Sequence, residues 1–133
     1  MPAFVVALFL AAHGLIHASF LRPEPPATVG GPQWPFDVAH SWLLSPIGLD
    51  GSATRVLGIV LIVAILAGYV AAALAFVGIA PAGWFVPGVV VGSVASVVLL
   101  ALFFHPWLVL GFAIDAVLLW AVLANDWAPK GTF

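Results

Sequence analysis

Cysteine is absent from this chain of 133 residues. Disulfides, thiolate metal sites and cysteine nucleophiles are therefore excluded at once. Charge is nearly absent as well. Lys and Arg together number 3 and Asp and Glu 5, so charged residues make up 6% of the chain, against about 25% in a typical soluble domain. A surface facing water could not be covered with so few charges. The formal net charge of −2 and the lack of any basic run argue against nucleic acid as a partner. Alternation of apolar and polar residues at period two is also missing, which argues against a membrane barrel.

What fills the chain instead is apolar: 65% of the residues are hydrophobic. They gather into four segments, from about Pro2 to Leu21, Ala53 to Ile79, Val86 to Phe104 and Trp107 to Asn125. Each reaches the length of about 17–25 residues that a helix needs to cross a bilayer. The pattern predicts an all-α membrane protein. Residues 1–133 would form one domain, a four-transmembrane-helix bundle that is multi-pass in the cell membrane, with the lipid bilayer as its first partner. The first segment has no Lys or Arg ahead of it and outruns a signal peptide's apolar core, so it reads as a retained helix.

Helix breakers agree with these limits. Arg22-Pro23-Glu24-Pro25-Pro26 ends the first helix, since proline removes backbone donors. Asp50, Ser52 and Thr54 offer N-caps for the second. His105-Pro106 makes a tight turn that predicts helices three and four as antiparallel neighbours. The long connection from Arg22 to Ser52 is rich in proline and glycine. Within it, Val38 to Leu44 reads as a short helix lying on the membrane surface or capping the bundle. Trp84, Trp107, Trp120 and Trp127 fall near helix ends, as interfacial anchors do. Gly88, Gly92 and Ser96 repeat at four-residue spacing, as do Ala64, Gly68 and Ala72. Both stripes read as packing faces, and the first is expected to join helices three and four.

Four crossings place the Arg22–Ser52 connection and the His105 turn at the same end. All four histidines then share that end with Arg22, Glu24, Asp37, Asp50 and Arg55, leaving Asp126 and Lys130 at the other. Depth sharpens this. His13 precedes Leu21 by eight residues and Asp115 follows Trp107 by eight, so both lie about 12 Å below the same face at 1.5 Å per residue. His13 and His17, at i and i+4, project from one side of their helix. An acidic residue at mid-helix costs about 2.5–3.5 kcal/mol on insertion scales and so turns away from lipid. Asp115 is therefore expected inside the bundle, next to His13 or His17.

These residues suggest chemistry without defining it. His13, His17, His40, His105 and Asp115 form a candidate ligand set for a transition metal such as zinc, copper or iron. Haem ranks behind this, because two histidines on one helix face cannot take opposite sides of one haem; His105 would have to supply the second axial ligand. No nucleophile elbow, phosphate loop or HExxH pattern is present. The functional expectation is a small polytopic membrane protein that holds a metal ion, a proton or a small lipid-soluble ligand in a His/Asp pocket at one end of the bundle. The alternatives are an accessory or structural subunit, docked to a membrane protein partner or to copies of itself, and a membrane oxidoreductase. Ala12-His13-Gly14-Leu15-Ile16-His17 resembles the opening of small bacterial four-helix membrane proteins without assigned activity. In size and helix count the chain also resembles DoxX-like proteins. Neither likeness brings a function with it.

Overall fold

The computed structural model describes residues 2–129 and is all-helical among them. Helix α1 (Ala3–Ile16) continues as a 3₁₀ turn over His17–Leu21. After the long connection come α2 (Ser52–Phe76), α3 (Phe85–Leu102) and α4 (Val109–Ala124). Short 3₁₀ turns at Ala82–Trp84 and Pro106–Leu108 lead into α3 and α4. With these turns included, all four helices are long and apolar enough to cross a membrane.

The boundaries have local causes. In α1, the His17 ring bonds the His13 carbonyl at 2.9 Å, the acceptor that the His17 backbone would use in an α-helix. That backbone N–H turns to Gly14 instead, and the helix tightens to 3₁₀ geometry. Helix α2 stops at Phe76, short of the expected Ile79. Gly78 takes φ +78°, while Ile79 N donates to Leu74 O at 2.9 Å and Gly78 N to Ala75 O at 3.2 Å. That pair of bonds is a Schellman cap, which favours glycine at the left-handed position. At the start of α2 the expected side-chain caps are not used, and Gly51 occupies the N-cap position. Asp50 is held by Ser45 Oγ at 2.5 Å, and the Thr54 hydroxyl donates to Ala39 O at 2.8 Å.

Helices adjacent in sequence pack extensively on each other, α2 on α3 most of all, whereas α1 and α4 meet at few points. The small-residue stripes are the reason α2 and α3 come so close. A Cβ added to Gly68 would lie 2.6 Å from Gly92 N, and one added to Gly88 would lie 2.7 Å from Gly68 O. The two stripes face each other. This corrects the expectation that Gly88 and Gly92 join α3 to α4: they pack on α2, and only Ser96 at the end of the stripe reaches α4, through Asp115. Helices α3 and α4 are still neighbours across the His105 turn.

The connection between α1 and α2 closes one end of the bundle. Ser41 Oγ donates to Leu102 O at 2.5 Å and Trp42 Nε1 to Ala101 O at 2.8 Å, so two side chains satisfy carbonyls at the exposed end of α3. Val38 is buried, and a Cβ on Gly58 would come within 3.0 Å of it. The expected helix over residues 38–44 does not form; turns and a 3₁₀ piece at Ser45–Ile47 stand there. Phe20 packs edge-on against Phe36 and at a tilt against Phe103 beneath this cover. At the opposite end Trp127 packs on Phe76 and Phe85, with ring centroids 5.7 and 5.2 Å away. It is thus a latch between helices, unlike the exposed Trp84, Trp107 and Trp120. Lys130, expected at that end with Asp126, lies outside the described residues.

The close α2–α3 contact makes Gly92 sensitive. Its added Cβ would lie 2.9 Å from the Tyr69 ring. Gly92→Leu should lower stability by about 1–3 kcal/mol, the usual cost of overpacking a filled core. Denaturant titration of the purified protein in detergent checks this; an unchanged midpoint would contradict the packing described.

Candidate functional site

Asp115 sits midway along α4 at 0% exposure. A carboxylate in such a place requires donors, and each of the other three helices supplies one. His13 Nε2 of α1 lies 2.9 Å from Oδ1. The Tyr69 hydroxyl of α2 donates to the same oxygen at 2.5 Å, and Ser96 Oγ of α3 lies 2.5 Å from Oδ2. The chain of contacts continues outward. Ser93 Oγ is 2.9 Å from the Tyr69 hydroxyl and donates to it, because the tyrosine's one proton is committed to Asp115. Ser96 Oγ is also 2.7 Å from His17 Nε2.

Room for this network comes from glycine. A Cβ on Gly14 would lie 3.0 Å from Tyr69 Cβ, and Gly92 presses on the other side of the ring. Tyr69 therefore lies between two helix surfaces that lack side chains, and its hydroxyl can reach α4. The His13 ring meets the Tyr69 ring edge-on with centroids 5.1 Å apart and the His17 ring at 5.4 Å.

His17 Nδ1 faces a carbonyl, which only accepts, so Nδ1 carries hydrogen. Two contacts then remain, His17 Nε2 to Ser96 Oγ and Ser96 Oγ to Asp115 Oδ2, and the serine has one proton to share between them. Both are hydrogen bonds only when a second proton is present. It resides either on Asp115 Oδ2, leaving the imidazole neutral, or on His17 Nε2, leaving a carboxylate and an imidazolium. Either arrangement makes the pair electrically neutral, which relieves the cost of a lone buried charge. The two interconvert when two protons shift along the same line of three atoms.

The matched depth of His13 and Asp115 thus corresponds to a direct contact. His17 joins them through Ser96. The other two histidines do not join. His40 is exposed and bonds Asp37 Oδ2 at 2.8 Å. The Asp37 carboxylate, through that bond and its charge, raises the His40 pKa above its ordinary value. His105 accepts a bond from Trp107 N at 3.3 Å and lines a surface cleft with His40. Metal binding by His13, His17, His40, His105 and Asp115 is accordingly not supported. Among the described residues no three His, Cys, Asp or Glu side chains are placed to hold an ion. Three of the four nitrogens of His13 and His17 are already engaged by protein atoms. The sequence reading overlooked Tyr69 and Ser93 and took Ser96 only as a small packing residue. Tyr69 had a visible signal: it is the single tyrosine of the chain, a hydroxyl set in the middle of an apolar helix.

One ring nitrogen is left over. Among the described residues, His13 Nδ1 has no hydrogen-bond partner, yet it is not a sealed, unsatisfied atom. His13 and His17 line a cleft of about 160 Å³ with Phe20, Leu100, Gly111 and Ile114. A neighbouring apolar cleft of about 230 Å³ runs along Phe9, Ile114 and Val117. Both lie where α1 and α4 fail to close on each other. Compared with known protein families, curated proteins and solved structures, the chain matches none.

Tyr69→Phe removes one donor from Asp115 and leaves the ring packing intact. It should cost about 1–3 kcal/mol, the range for a buried bond to a charged or strongly polar acceptor. Unfolding in detergent measures it, and a neutral substitution would remove Tyr69 from the network.

Proposed function

We propose that this is a multi-pass membrane protein that binds a small lipid-soluble ligand in the cleft between α1 and α4 and exchanges a proton with it through His13 and Asp115. The observation that carries the reading is the combination of a fully buried carboxylate, bonded from three other helices, with a histidine whose second nitrogen lacks a partner among the described residues and stands beside an apolar cleft. Ionisable groups at membrane depth are rare and tend to mark proton or ligand pathways. The outward faces of the helices suit lipid, with Leu8, Leu15, Val63, Val91, Leu110 and Val117 all exposed.

A cleft of about 160 Å³ is smaller than the roughly 300–1,000 Å³ of a pocket for a drug-sized molecule. It suits a ring-sized head whose tail stays in the bilayer. The head needs a hydroxyl that can donate to His13 Nδ1, which describes a quinol or a related phenol. On binding, the ligand's hydroxyl donates to Nδ1. A proton taken there is matched at Nε2 by the proton that His13 directs at Asp115 Oδ1. Asp115 can take it in the arrangement that leaves the second proton on His17, where Asp115 is an unprotonated carboxylate.

A second reading, a purely structural polar clasp, is favoured by the way most polar atoms of the network find partners inside the bundle. Binding separates the two. A short-chain quinol presented to the protein in nanodiscs should bind saturably. Ile114→Trp, which fills the cleft, should weaken binding by about tenfold or more, the loss of roughly 1.4 kcal/mol. Absence of saturable binding to the wild type, or equal binding by Ile114→Trp, would overturn the ligand reading in favour of the clasp.

A further inference from the structure

Away from the Asp115 network, a larger cleft of about 450 Å³ opens beneath the connection between α1 and α2. Arg22, Arg55, His40, Trp34, Glu24 and Asp37 stand on its walls, with Phe20 and Ile59 toward the helices. Its place in the chain is informative. Arg22 directly follows the apolar span Ala3–Leu21, and Arg55 lies in the first turn of the span Ser52–Phe76. Two helices that cross a bilayer would therefore set both guanidinium groups at the level of the lipid headgroups.

Three properties of this cleft call for an anion. Among the described residues, the ion pairs are His13–Asp115 and His40–Asp37, so neither arginine is held by Glu24 or Asp37. Among the described residues the Trp34 indole N–H is buried without an acceptor, although buried donors are nearly always paired, and Trp34 borders this cleft and two neighbouring ones. The charge balance is the third. The Asp37 carboxylate raises the His40 pKa above its ordinary value. Two fixed cations, Arg22 and Arg55, and one titratable imidazole then face the carboxylates of Glu24 and Asp37.

We infer that this cleft is a binding site for the phosphate of a monoanionic lipid headgroup, received by Arg22 and Arg55 with Trp34 Nε1 as a third donor. Arginine presents a planar fork of donors that matches phosphate oxygens in pairs. A phosphodiester would bring one negative charge to the two guanidinium groups. The volume admits a headgroup, and Ile59 and Phe20 offer the start of an apolar path for the acyl chains. This site rests on the chain's residence in a bilayer but is independent of the ligand cleft beside His13.

Native mass spectrometry of the full chain in detergent, titrated with dioleoylphosphatidylglycerol or dioleoylphosphatidylcholine, tests the inference. One phosphatidylglycerol should be retained in preference to phosphatidylcholine. The Arg22→Gln/Arg55→Gln protein should retain it about tenfold less, since two charge-assisted contacts are gone. Trp34→Phe, which keeps both charges, should lose several-fold and keeps the test valid if the double variant does not fold. Equal retention of the two lipids, or wild-type retention in Trp34→Phe and the double variant alike, would overturn the site. A third arm adds inorganic phosphate alone. Displacement of phosphatidylglycerol at millimolar phosphate would overturn the lipid as the occupant, whereas lipid retention unaffected by phosphate supports it.

Discussion

Everything else in this bundle is arranged around the need to bury one carboxylate. Asp115 has no access to solvent, and its two oxygens are met by His13, Tyr69 and Ser96 from the three other helices. Helices sliding in an apolar medium gain little from burying more hydrophobic surface, because lipid is as apolar as their neighbours. Directional polar bonds supply the register that such burial cannot. A shift of α1 by one residue would move His13 by about 1.5 Å along its axis and turn it through roughly 100°, and the contact to Asp115 would be lost. The network thus fixes how far each helix is inserted and which way it faces.

That constraint explains why the glycines stand where they do. Tyr69 reaches Asp115 only because Gly14 and Gly92 leave space on either side of its ring. Gly68 and Gly88 bring the α2 and α3 backbones together, and Ser93 and Ser96, both fully buried on α3, then fall within reach of Tyr69 and Asp115. Close packing and polar bonding are therefore one device here. Because α1 joins the others chiefly through α2 and the His13 bond, the side facing α4 stays open.

The sequence carried this architecture unevenly. Helix spans were legible to within a few residues, since apolar length and proline breaks are local signals. The His13–Asp115 contact was legible too, because helix rise converts sequence separation into depth. Azimuth was not. Depth does not reveal which faces of two helices meet, so the Gly88/Gly92 stripe was assigned to α4 when it packs on α2. The same blindness put His40 and His105 with His13: the two share an end of the bundle but not its interior. Tyr69 and Ser93 escape notice, and Ser96 reads only as a packing residue, because each, taken singly, is ordinary membrane-helix composition. The 38–44 segment looked helical by its apolar content, yet Asp37 Oδ1 accepts from Ala39 N at 2.7 Å, a local bond that holds a turn.

The central claim is that Asp115 and His13 are energetically coupled inside the bundle. A double-mutant cycle with His13→Leu, Asp115→Leu and the pair, each unfolded in the same detergent, measures that coupling directly. The account predicts that the double variant is less destabilised than the sum of the singles by about 1–3 kcal/mol, because each single change strands a buried polar partner. Additive losses would mean that the two side chains do not support each other and would contradict the account.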